Sequence, residues 1–145
     1  MTVINPSRTV FYAIEKAIKT YRQYAQRQIS GQGIDITVDQ LLVLRAIQDH
    51  PGIAQNQIAE MVFKDYASVT RMIDLLVKKK YLQRKIHSQD RRRFELTITR
   101  EGSQILNQLD EVVANYRQQA LQGISARDEE ILHQLLGKIT DNCLM

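Results

Sequence analysis

Two clusters of side chains in this sequence have the types and spacing to hold a polyanion. The first is Asp90-Arg91-Arg92-Arg93, three guanidiniums and one carboxylate in a row. A guanidinium is planar, permanently charged, and donates two parallel hydrogen bonds to a phosphate or a guanine edge. No apolar residue interrupts the run, so it has no packing role and reads as an exposed tip. Asp90 is expected to pair with a neighbouring arginine and hold it outward. The second cluster is Tyr66, Ala67, Ser68, Thr70 and Arg71. Its hydroxyls suit phosphates or base acceptors, and Arg71 suits guanine or a phosphate. Between Lys64 and Arg93 lie ten basic residues against three acids, whereas the rest of the chain carries ten against thirteen. A basic block in a slightly acidic chain is the footprint of a polyanion-binding surface. Taken alone, the arginine tip competes with an ordinary solvated turn, and the second cluster with helices that merely pack.

Other chemistry is not indicated. His50, His87 and His133 are far apart and lack partners at metal-ligand spacing. The six glycines form neither a phosphate-cradling loop nor a nucleophile elbow. No enzyme activity, cofactor or metal is expected. Cys143, the one cysteine, cannot form an internal disulfide, and no lysine or arginine beside it in sequence activates its thiol. With 145 residues, 43% hydrophobic and 25% charged, the chain is expected to form one domain over residues 1–145 with a real core. No run approaches the roughly 18 apolar residues that span a bilayer. Met1 to Arg8 lack a signal-peptide pattern. A cytoplasmic location with no membrane partner is the expectation.

The elements that must position the clusters follow from apolar spacing. Asn5-Pro6 opens a long helix with Val10, Phe11, Ile14, Ala17, Ile18, Tyr21, Ala25 and Ile29 on one side, ended by Gly31-Gln32-Gly33. Thr37-Val38-Asp39-Gln40 is a capping box ahead of Leu41, Leu42, Leu44 and Ile47. A short helix from about Ala54 to Val62 follows. Asp65 caps another, with Val69, Met72, Ile73, Leu76 and Val77 inward. Phe94 to Ile98 then alternates apolar and polar residues, a strand with Leu82 to His87 as its partner and the arginines at the connection. Thr99 caps a helix carrying Ile105, Leu106, Leu109, Val112, Val113, Tyr116 and Leu121. Ser125 caps a last one carrying Ile131, Leu132, Leu135, Leu136 and Ile139. The fold class is therefore mainly α with a small antiparallel β-hairpin wing. Residues 36–99 can close their own core. The flanking helices, 6–30 and 100–142, are longer than that core needs, and a second copy of the chain is the simplest cover for their apolar faces. Packing on each other within one subunit is the alternative.

Two short helices followed by a hairpin make a winged helix-turn-helix, in which the second helix enters the major groove and its first residues meet base edges. Here the chain resembles the MarR family of winged helix-turn-helix transcriptional regulators. The resemblance is carried by Leu41-Leu42-Val43-Leu44 after the capping box, by Gln57-Ile58-Ala59, and by Ser68-Val69-Thr70-Arg71 with Leu76. Asp90-Arg91-Arg92 with Leu96, Ile98-Thr99 and Gly102 completes it. It implies a homodimer joined through the terminal helices, with Phe11, Ile14, Ile18, Leu132, Leu135, Leu136 and Ile139 at the interface. It implies base reading from Tyr66, Ala67, Ser68, Thr70 and Arg71, and a wing, Asp90 to Arg93, in the minor groove. Gln55, Asn56, Lys64 and Lys78 would hold the DNA backbone. The partners implied are a pseudo-palindromic double-stranded operator and a small aromatic effector that lowers DNA affinity, which makes the protein a repressor. Tyr12, Tyr21, Tyr24 and Tyr116 could line a ligand cleft, but tyrosines at helical spacing are as readily core. The sequence departs from the family at Lys80, where glycine is common. Either a left-handed lysine there is tolerated at a cost of about 1 kcal/mol, with a phosphate contact by the third lysine in exchange, or the helix ends differently. Two other classes stay open. One is a winged-helix module that binds RNA or protein without effector control, and the other is a scaffold built on the terminal helices.

Overall fold

Local hydrogen bonding decides where each element begins. The computed structural model describes residues 5–145, so the first four residues of the domain expected over 1–145 lie outside the described residues. Asn5 and Pro6 do not start the long helix. Asn5 caps a single 3-10 turn, Pro6–Arg8, by accepting from the Ser7 N–H, and Thr9 then accepts from Tyr12 to start α1, Val10–Gly31. The hydroxyl of Thr9 reaches an N–H three residues on, as an N-cap should. The capping box forms as expected. Gln40 N–H donates to Thr37 Oγ1 at 3.0 Å and Thr37 N–H to Gln40 Oε1 at 3.1 Å, which opens α2, Val38–Asp49. Helices α3, Gln55–Met61, and α4, Tyr66–Lys78, follow. Strands β1, Leu82–Ile86, and β2, Phe94–Ile98, pair antiparallel with Leu82 opposite Ile98 and Ile86 opposite Phe94. Thr99 and Ser125 cap α5, Arg100–Ala120, and α6, Ala126–Cys143.

The core lies where α2, α3 and α4 meet the C-terminal end of α1 and the inner side of α5. Ile29, Ile36, Leu44, Ile58, Ile73, Leu76, Leu106 and Leu109 are all fully enclosed. Tyr21 of α1 packs edge-on against the buried Tyr116 of α5, with centroids 5.8 Å apart. Burial pushes the Tyr116 hydroxyl pKa up, with Tyr21 adding to the effect. These two tyrosines are core residues here, whereas Tyr12 is exposed. No residue of α6 is buried, and the buried residues of α1 are Ala25 and Ile29, near its C-terminal end. The C-terminal half of α1 and α5 therefore pack on each other within one chain, whereas α6 and the first half of α1 leave their apolar faces uncovered.

Lys80 adopts the left-handed conformation, with φ +68°. Its N–H bonds Val77 O and the Tyr81 N–H bonds Leu76 O, both at 3.0 Å. This pair of bonds satisfies two carbonyls that α4 would otherwise leave orphaned. Thr99 Oγ1 also donates to the Lys80 carbonyl at 2.6 Å. The strained lysine is held by its surroundings. Lys80→Gly should therefore stabilise the fold by about 1 kcal/mol. The check is a urea transition whose midpoint rises at constant slope.

Candidate nucleic-acid interface

The short helix α3 starts without a side-chain cap, but Gln57 Oε1 accepts the Ala54 N–H at 3.1 Å. It ends in a second left-handed turn, at Phe63 with φ +59°, and the Lys64 N–H closes that turn on Ala59 O. Asp65 then caps α4 by accepting from the Ser68 N–H at 2.6 Å. That bond, with the Ser68 hydroxyl and then Arg71 and Lys64 assisting, holds the Asp65 carboxyl pKa below its ordinary value. The carboxylate stays ionised and keeps the helix start ordered at neutral pH.

Much of the expected site gathers around one concavity of about 300 Å³. Gln55 and Asn56 from the start of α3, Tyr66 from the start of α4, and Arg92 and Arg93 from the wing line it. Gln55 and Arg93, 38 positions apart in sequence, thus face one space that carries two guanidiniums. Arg91, Arg92 and Arg93 are exposed, as are Tyr66, Ala67 and Arg71. One Arg71 nitrogen donates to Ser68 Oγ at 3.1 Å, so these two expected base readers stand together.

Other expected residues also make contacts within the lobe. Thr70 Oγ1 donates to Tyr66 O at 3.0 Å and accepts from the Gln55 amide, so its hydroxyl is satisfied within the lobe. Gln55 thereby ties the start of α3 to α4. Lys64 pairs with Asp39. Lys78 is the last residue of α4, roughly 18 Å from Tyr66 at 1.5 Å per residue, and Lys80 follows two residues past the helix. Asp90 corrects an expectation. Its carboxylate does not pair with an arginine side chain but accepts the Arg92 backbone N–H at 3.0 Å, while the Arg93 N–H bonds Asp90 O. A short acidic side chain satisfies its own turn first, and this leaves the three guanidiniums free of it.

Sequence reasoning placed Phe94 only as the start of a strand and did not single out Arg84, so it missed the pair they form. Arg84 ion-pairs with Asp74 of α4 and lies 5.3 Å over the Phe94 ring, which also lines the concavity. The signal was present as an acid and a base flanking the α4–β1 junction, but spacing alone does not reveal a pair across it. Among the described residues, no three His, Cys, Asp or Glu gather in a metal-ion cluster. No helix among the described residues is long and apolar enough to cross a membrane.

A helix-turn-helix joined to a two-stranded wing and flanked by long helices defines the winged helix-turn-helix class. Comparisons with known proteins narrow it. The MarR family profile matches residues 34–93. Transcriptional regulator HosA of Escherichia coli O157:H7 is 30% identical over 105 residues, 72% of this chain and 78% of HosA. The uncharacterized HTH-type transcriptional regulator YybA of Bacillus subtilis (strain 168) is 27% identical over 114 residues, 79% of this chain and 76% of YybA. Bordetella bronchiseptica BpsR, whose DNA binding is regulated by 6-hydroxynicotinic acid, shares the fold with a TM-score of 0.86. It is 21% identical, and the match covers 97% of this chain and 99% of that one. A mutant MarR from E. coli complexed with operator DNA matches with a TM-score of 0.85 and 24% identity, covering 96% and 99%. The chain belongs to the MarR family of DNA-binding transcriptional regulators, which are not enzymes.

Proposed function

We propose that the protein is a homodimeric repressor, acting in the cytoplasm, that grips a pseudo-palindromic operator and releases it when a small aromatic acid binds. The observation that carries this reading is the shared concavity, which sets Tyr66 of α4 beside Arg92 and Arg93 of the wing. A rod for the major groove and a cationic tip for the adjoining backbone or minor groove are held in one rigid lobe. Ser68 and Arg71 then read base edges, with Ala67 placed for a thymine methyl. Arg91, Arg92 and Arg93 meet phosphates or the minor groove, and Asn56 meets the backbone. Residues 36–99 form the DNA-binding lobe, and 6–30 with 100–142 form the dimer region. Paired lobes would occupy half-sites about one helical turn apart. The operator complex of the MarR relative and the 6-hydroxynicotinic acid response of BpsR support this reading.

The test is a titration of duplex DNA across salt concentrations. Arg92→Ala should weaken binding to every sequence and flatten the salt slope by about one unit, since one phosphate neutralisation is lost. Ser68→Ala or Arg71→Ala should instead erode discrimination between a selected duplex and a random one. An Arg92→Ala protein with an unchanged slope would remove the wing from the contact. Transcription from a promoter that carries the selected site should fall when protein is added and recover with the effector.

A further inference from the structure

The acid that draws cations from two other elements is Asp39, in the first turn of α2. Its Oδ1 accepts from the Arg22 guanidinium of α1, and its Oδ2 lies 3.6 Å from Lys64 Nζ in the turn ahead of α4. Each carboxylate oxygen thus has its own cation. The site is part-covered, with the Asp39 side chain 27% exposed, Arg22 36% and Lys64 42%. Other acids in ion pairs among the described residues, Asp35, Asp74 and Asp110, each hold one cation.

The geometry explains why Lys64 faces this way. Phe63 takes a left-handed φ, and the chain turns back there with the Lys64 N–H on Ala59 O at 3.0 Å. The Lys64 ammonium consequently stands against α2. The position of Asp39 in the first turn of α2 favours its negative charge, because the helix N-terminus is the positive end of the dipole. Gln26 supplies a second polar tie between α1 and the start of α2, donating to Ile36 O at 3.0 Å and accepting from Val38 N–H at 2.9 Å. Asp39 extends that tie to the segment that leads into α4.

We propose that Asp39 is a positioning residue: through Arg22 and Lys64 it fixes the reading helix to α1, and it withholds Lys64 from the DNA backbone. This rests on the reading of the lobe as the part that grips duplex DNA. The α1 helix carries the uncovered Val10, Phe11 and Ile18. A tie from that helix to the start of α4 sets the angle of the reading head against whatever the apolar half of α1 meets. Half-site spacing in a dimer is a rigid-body property, so a looser tie costs discrimination rather than raw attraction to phosphates.

The experiment uses the full chain, a selected duplex and a random duplex of equal length, titrated across salt. Lys64→Ala alone should leave the salt slope unchanged, because Asp39 already occupies that cation. Asp39→Asn should steepen the slope on random duplex by about one unit as Lys64 is released. It should also lower the ratio of selected to random affinity by about threefold, the scale of a part-exposed ion pair. Adding Lys64→Ala to Asp39→Asn should return the slope to that of the unmodified protein. Both sites are at least part-exposed and neither is in the apolar core, so the variants should fold, and thermal melts confirm that they do. Flattening by Lys64→Ala alone would make Lys64 an ordinary phosphate contact and overturn the proposal. So would an Asp39→Asn protein with the slope and ratio unaltered. An unmodified protein whose duplex binding ignored salt would fail earlier, at the reading of the lobe itself.

Discussion

Leu135→Glu is expected to turn the protein into a monomer and to lower its affinity for a two-half-site operator by roughly 10²- to 10⁴-fold. That is the factor that linking two modest binding events contributes. The reason is visible on α6. Ile131, Leu132, Leu135 and Leu136 run along it at helical spacing and are 42%, 48%, 50% and 37% exposed. At the other end of the chain Phe11 and Ile18 are 58% and 48% exposed, while Ile14 and Ile139 are half-buried. A water-facing leucine stripe on one helix, matched by an apolar start to α1, is the kind of contiguous uncovered apolar surface that marks an interaction site. A glutamate carried into a contact between two copies would have to leave water unpaired, so desolvation opposes association. The affinity of a single lobe for random duplex should change little, because Leu135 lies outside the arginine-lined concavity. Sedimentation paired with operator titration checks this. A variant that still sediments as a dimer, or that loses random and operator binding equally, would place the subunit contact elsewhere.

The sequence was legible where the chemistry is local. The capping box at Thr37 and Gln40, the Asp65 cap and the strand from Phe94 to Ile98 each depend on residues within a few positions, and each appears in the structure where the pattern put it. Asn5 misled because two N-cap residues stand four apart, and spacing cannot choose between them. The structure gives Asn5 the 3-10 turn and Thr9 the helix. Side-chain commitments were less legible. Thr70 and Arg71 are adjacent and polar, yet one hydroxyl is consumed by Tyr66 O and Gln55 while the guanidinium is free but for Ser68. Lys64 and Asp39 are 25 residues apart, and only the turn at Phe63 brings them together. Charge counting located the basic block but could not say which of its cations already had partners. Asp90 shows the same limit at short range, because its backbone bonds compete with the arginine pairing that its neighbours suggested.

Gly102→Ala should destabilise the protein by about 3 kcal/mol, at the upper end of overpacking costs in a close-packed interior. Helix propensity predicts the opposite. Gly102 sits in the first turn of α5, and alanine in a helix is ordinarily better than glycine by about 1 kcal/mol. Space decides the sign. A methyl group on Gly102 would lie 2.3 Å from the Tyr81 carbonyl oxygen and 2.9 Å from Ile98 Cγ2. The first neighbour is backbone and cannot swing aside. That same carbonyl accepts the Thr99 N–H at 3.1 Å, and Thr99 Oγ1 both accepts from the Gly102 N–H and donates to Lys80 O. The end of α4, both strands of the wing and the start of α5 thus converge on a point with no room for a side chain. Forcing them apart would weaken the Thr99 cap and loosen the wing at its root, so operator affinity should fall along with stability. Urea unfolding followed by circular dichroism, with operator titration well below the transition, measures both. A midpoint that rose by the amount expected from propensity would mean that the junction yields, and that the wing is not anchored by this contact.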